Sequence, residues 1–206
     1  MPGIVFWILP AWVVGSWYSL WWPATVVLMC LVGALLGANV FLFAHELTGK
    51  VWIALTVWAA VAFSNPIMSY SYLIFTEMPT GLLLLYAFRR LALGWGSNGP
   101  LRLALIGTCI GYIPWMAWRC VPIAAALGLY ALVQWWRYRG RWKFTAETAG
   151  EISTNHRPLM KNSGTIWTFA LLSAPVAVSA VLVAWYNLFL FGKVLPLETV
   201  VRAGGW

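Results

Sequence analysis

Ser64-Asn-Pro-Ile-Met-Ser-Tyr-Ser-Tyr-Leu-Ile-Phe-Thr-Glu-Met-Pro79 interrupts a long apolar sequence with a helix breaker, a cluster of hydroxyls and one carboxylate, Glu77. The chain holds five acidic residues, all of them glutamate, so a carboxylate between two membrane-length apolar runs calls for a physical reason. The order Thr76-Glu77-Met78-Pro79 predicts a helix start, with Thr76 as N-cap, Glu77 in the first turn and Pro79 tolerated within it. If residues 65–76 are helical, Asn65, Ser69, Tyr72 and Thr76 share one face by their four-three-four spacing and lead to Glu77. Glu77 then either complements the positive end of the helix dipole or aims at a substrate hydroxyl, a metal or a basic partner.

The composition around that stretch sets the solvent. Hydrophobic residues make up 62% of the chain and charged ones 9%, and the mean hydropathy is +0.80. A soluble domain carries about 25% charged residues, so this chain lacks the means to cover a water-facing surface. It is expected to be all-α, a polytopic transmembrane helical bundle forming a single integral membrane domain over residues 1–206. Its sixteen Trp fit, because Trp and Tyr collect at bilayer interfaces. The formal charge of +8 is no nucleic-acid signature, since the basic residues fall in short loops between apolar runs. Cys30, Cys109 and Cys120 are expected to be buried small hydrophobes rather than redox or metal ligands. No phosphate loop, zinc motif or nucleophilic triad is present.

A spanning helix needs about 20 mostly apolar residues. Residues 4–16 are a short first candidate with Pro10 inside it, and residues 23–44 a clear second with Gly33, Ala34, Gly37 and Ala38 at helical spacing. Further runs cover 51–63, Thr76 to Arg90, 101–117, 121–136 and 166–190, about seven spans in all. A basic loop over 137–164 holds Arg137, Arg139, Arg141, Lys143, Arg157 and Lys161. The positive-inside rule places that loop in the cytoplasm, together with Lys50, Arg89, Arg90 and Arg102. Only Arg119, Lys193 and Arg202 then fall outside. His45 and His156 lie on the inner side and carry no expected role.

Three polar sites share the outer face: Glu77, Arg119 in the tight turn between the fifth and sixth runs, and the segment from Asn187 through Lys193 to Glu198. Ionisable groups at membrane depth face a cavity or pair with one another, so an outward polar cavity is expected, with Glu77 opposite Arg119. An always-charged planar fork such as Arg119 suits a phosphate, although snorkelling to headgroups is the alternative. Gly192 is the expected helix stop after Asn187, with Pro196 beyond it.

Three segments resemble, in order and spacing, the membrane region of the GT-C superfamily, the polyprenyl-phosphate-sugar-dependent glycosyltransferases that include dolichyl-phosphate-mannose–protein mannosyltransferases. They are Pro66 to Pro79, then Ile113-Pro-Trp-Met-Ala-Trp-Arg119, then Tyr186-Asn187 through Gly192 to Pro196. The resemblance implies a transferase in the plasma membrane with an extracytoplasmic active face, whose partners are membrane lipid and a lipid-linked sugar donor. Arg119, Asn187, Lys193 and Tyr72 become the expected substrate-binding side chains, with Glu77 a supporting carboxylate near the donor. No cofactor is implied with certainty, and a divalent metal is the one admitted. Members of that superfamily carry a catalytic acid in the first large outer loop, and no acidic residue precedes Glu46 here. A fragment lacking that loop, or a divergent member without the chemistry, is therefore expected. A transporter-like or flippase-like bundle and a non-catalytic membrane subunit are the competing readings.

Overall fold

A computed structural model of the protein describes residues 2–64, 67, 73–93, 100–116, 118–148 and 164–192. Among the described residues seven α-helices follow in order: α1 Pro2–Ser16, α2 Trp21–Thr48, α3 Val51–Ala62, α4 Glu77–Leu93, α5 Pro100–Met116, α6 Val121–Thr148 and α7 Gly164–Phe191. A 3-10 turn, Trp118–Cys120, joins α5 to α6. No strand occurs among the described residues. Two helix ends are set by glycine in the left-handed region, which has no Cβ to clash there. Gly49 (φ 67°) closes α2 with its N–H donating to the His45 carbonyl, and Gly192 (φ 66°) closes α7 on the Leu188 carbonyl. The stop expected at Gly192 is in place.

Neighbouring contacts fix how the helices run. Leu36 packs over Gly81, and the Phe43 and Phe88 rings lie 5.8 Å apart, so α2 and α4 are parallel. Gly107 meets the Leu172 backbone, Gly111 meets Pro175, and the Trp115 and Tyr186 rings lie 5.9 Å apart, so α5 and α7 are parallel as well. Gly107 lies so close to the Leu172 carbonyl that any side chain there would collide with it, the close approach that small residues permit. One core cluster joins Leu83 and Ala87 of α4, Ile106 and Ile110 of α5, and Ala124 and Leu127 of α6. A second joins Met29, Val32 and Leu36 of α2 to Met78 of α4, and Trp7 of α1 packs against both.

The bundle therefore has two chemically distinct ends. At one lie the starts of α4 and α6, the end of α5 and the end of α7, with Arg119 between them. At the other lie Lys50, Arg89, Arg90 and Arg102. Apolar side chains cover much of the outside, among them Trp52 (82% exposed) and Phe189 (77%). Among the described residues two helices are long and apolar enough to cross a membrane: α2, and Phe169–Leu190 within α7. Only 17% and 6% of their most apolar windows are buried, the reverse of a core helix in a soluble protein.

Several sequence expectations are corrected. Helix α1 has 15 residues, roughly 22 Å at 1.5 Å per residue, short of a hydrocarbon core of about 30 Å. Its start also sits at the Arg119 end, where the Tyr112 hydroxyl donates to the Gly3 carbonyl at 2.7 Å. Helix α3, with 12 residues, is likewise too short to span alone. Helix α6 does not stop at 136 but continues to Thr148, so the first part of the expected basic loop is helical. Arginine and lysine propagate a helix as well as apolar residues do, and an apolar run marks burial, not helix length. Cys30 is exposed rather than buried, because it turns away from the core face that its neighbour Met29 fills.

Candidate functional site

Arg119 is delivered by the turn between α5 and α6, and Glu77 by the first turn of α4. The two side chains form an ion pair, with Nη2 of Arg119 donating to Oε1 of Glu77. Thr76 stands one residue before the helix, and its carbonyl accepts the Thr80 N–H at 3.1 Å, as the expected N-cap should. Its hydroxyl, however, leans on the Glu77 carboxylate at 3.4 Å instead of capping the backbone. The Arg119 side chain is 68% exposed and that of Glu77 34%. Such an open pair contributes roughly 0–1 kcal/mol to stability, so the fold does not depend on it. Arg119 uses one terminal nitrogen on Glu77, and its other donors have no partner among the described residues. It is a cation held in place with donors to spare.

Asn187 lies at the same end, near the close of α7, and is buried to 7% exposure. The adjoining Tyr186 ring packs near Trp115, whose indole N–H donates to the Ser179 hydroxyl at 2.8 Å. That hydroxyl in turn donates to the Gly111 carbonyl. Pro114 removes the N–H that would have served the Ile110 carbonyl, so α5 carries weakened backbone bonding in this turn. Side chains from α7 thus brace the part of α5 that leads into Arg119.

The opposite end holds a network that the sequence did not reveal. Arg89, 4% exposed, donates from Nε to Oε2 of Glu46 at 2.8 Å and from Nη2 to Oε1 at 2.6 Å. Its Nη1 donates to Oδ1 of Asn39 at 3.0 Å. Asn39 and Glu46 are seven residues apart, two turns along one face of α2. All three guanidinium nitrogens are engaged, which makes this a structural clamp rather than a receptor for a ligand.

Of the site residues expected from sequence, Glu77 and Arg119 are brought into contact, and Asn187 shares their end of the bundle. Tyr72 and Lys193 lie outside the described residues, as do Asn65 and Ser69 of the expected stripe, while Leu73–Thr76 are not helical. Among the described residues no three His, Cys, Asp or Glu side chains gather as a metal site. The chain matches no family model, no curated protein and no solved structure.

Proposed function

We propose that the chain is a membrane-embedded helical bundle that binds a polyprenyl-phosphate sugar, as the core of a glycosyltransferase-like protein. The apolar outside supports a lipid solvent, because soluble monomers rarely expose contiguous apolar patches beyond a few hundred Å². The segregation of Lys50, Arg89, Arg90 and Arg102 from Arg119 supports the orientation that places the Arg119 end outside the plasma membrane. In that orientation the lone described cation of the outer end stands where a lipid phosphate arrives.

The observation that carries this proposal is the Glu77–Arg119 pair. Glu77 positions the guanidinium, and the spare donors of Arg119 receive phosphate oxygens through charge-assisted hydrogen bonds. In a transfer reaction the same positive charge stabilises the departing phosphate. A second reading, a non-catalytic subunit that only holds the lipid, is favoured by one feature. Both glutamates whose side chains are described, Glu46 and Glu77, are engaged by arginines, so neither stands ready as a base for an acceptor hydroxyl.

Native mass spectrometry of the full chain in nanodiscs tests the binding, with a polyprenyl-phosphate sugar, a polyprenyl phosphate and a neutral polyprenol offered in turn. The two phosphate lipids should be retained and the neutral alcohol lost. Equal retention of all three, or of none, would sink the proposal. Sugar transfer from the donor to an added acceptor would separate the transferase from the lipid-holding subunit.

A further inference from the structure

The end of the bundle away from Arg119 carries exposed tryptophans on three helices: Trp52 at the start of α3, Trp136 of α6 and Trp167 at the start of α7. The Trp135 and Phe169 ring centroids lie 4.7 Å apart, which puts Trp136 and Trp167 at nearly one level. Indole rings settle where lipid tails give way to headgroups, so this level marks that boundary. Helix α6 does not end there. Its backbone stays helical to Thr148, roughly 18 Å past Trp136. Helix α7 runs the other way and starts at Gly164, only about 7 Å beyond Phe169. The last turns of α6 thus overhang the start of α7 by about 12 Å.

Four cationic positions fall on this part of α6: the exposed Arg137, then Arg139, Arg141 and Lys143. The three arginine positions lie within about 8 Å of Trp136 along the helix. That is the depth of a headgroup layer, roughly 5–8 Å on each side of the hydrocarbon. Lys50 and Arg102 stand at the same end. No acidic residue lies between Arg137 and Ala146, and Glu46, at the same end, is engaged by Arg89.

We infer that the stretch of α6 from Arg137 to Lys143 binds anionic phospholipid headgroups, in the leaflet opposite the Arg119 end. Level, charge and chemistry agree on that occupant. The positions sit at headgroup depth, they carry one sign of charge, and three of the four are arginine, whose planar fork takes two phosphate oxygens at once. A zwitterionic headgroup brings its own ammonium against these cations, and an anionic one does not. Anionic lipid belongs to the cytoplasmic leaflet, where each nearby cation is worth about fivefold in affinity, and the proposed orientation faces α6 to that side. The inference rests on the membrane-embedded bundle proposed above. It does not use the polyprenyl-phosphate site, which lies at the other end and fails or stands separately.

Native mass spectrometry of the detergent-solubilised full chain tests this, with phosphatidylglycerol and phosphatidylcholine of the same acyl chains offered in equal amounts. Wild type should retain phosphatidylglycerol about tenfold or more over phosphatidylcholine. Changing Arg137, Arg139, Arg141 and Lys143 together to glutamine, which propagates a helix as well, should remove most of that preference. Changing only the three arginines to lysine should keep at least half of it, because the charge stays and only the fork is lost. Arg119→Ala should keep most of it. In wild type, raising ammonium acetate from about 0.1 M to about 1 M should shrink the preference several-fold, because exposed charges are screened. A wild-type ratio in the glutamine variant, or a wild-type preference indifferent to salt, would overturn the inference. A preference lost with Arg119→Ala and kept in the glutamine variant would move the anionic lipid to the other end. Displacement of phosphatidylglycerol by an equal amount of poly-glutamate peptide would overturn lipid as the occupant.

Discussion

Arg89 of α4 grips both carboxylate oxygens of Glu46 on α2, at 2.8 and 2.6 Å, across 43 residues of sequence. With Asn39 on its remaining nitrogen, this arginine ties the two parallel helices together at the end away from Glu77. Removing one partner of a buried pair leaves the other uncompensated. Arg89→Ala should therefore destabilise the bundle by about 3 kcal/mol, the low end of the usual range, because the Glu46 side chain is 36% exposed. Replacing both partners at once, Arg89→Met with Glu46→Leu, should recover most of that loss. Unfolding free energies in bicelles would measure both, and a double variant as unstable as the single one would contradict the clamp.

Two helical glycines, one packed and one open, should respond in opposite ways. At Gly107 a Cβ would collide with the Leu172 carbonyl, so Gly107→Ala must push α7 off α5, at about 1–3 kcal/mol for such overpacking. At Gly128 there is open space, and Gly128→Ala should stabilise the helix by roughly 0.5–1 kcal/mol. Thermal midpoints of the two variants in one detergent should move in opposite directions.

Glu77→Gln should leave stability within about 1 kcal/mol of wild type, because the pair it breaks is open to solvent. The same unfolding assay checks this. A loss as large as that of Arg89→Ala would mean the pair holds the fold together rather than forming a site.

The two ends of the bundle should face opposite sides of a membrane. In a chain with Cys30, Cys109 and Cys120 changed to serine, Arg119→Cys should react with an impermeant maleimide from one side of sealed vesicles. Lys50→Cys should react only from the other side. Labelling of both from the same side would contradict the arrangement of the helices.

That Glu77 and Arg119 share one end of the bundle was legible in the sequence, because alternation of apolar runs alone brings the start of α4 and the turn after α5 together; that they pair directly instead of facing each other across a polar cavity was not. The Arg89–Glu46 clamp was not. It depends on how α2 and α4 are rotated about their axes, and α2 carries apolar side chains on nearly every face, so periodicity sets no rotation. The position of α1 escaped for a related reason. Its apolar run looks like a short span, and nothing in it announces the Tyr112–Gly3 bond or the packing of Gly3 on Trp115 and Met116 that bring its start beside the end of α5. The reach of α6 to Thr148 was hidden because charge ends an apolar run without ending a helix.

The most direct measurement is the affinity of the purified full chain for a polyprenyl phosphate in wild type, Arg119→Ala and Glu77→Gln. Arg119→Ala should weaken binding about tenfold or more, the loss of a hydrogen bond to a charged group. Glu77→Gln should also bind more weakly than wild type, though by less than Arg119→Ala, because the carboxylate that positions the guanidinium is gone. Wild-type affinity in Arg119→Ala would contradict a lipid-phosphate site at the Glu77–Arg119 pair.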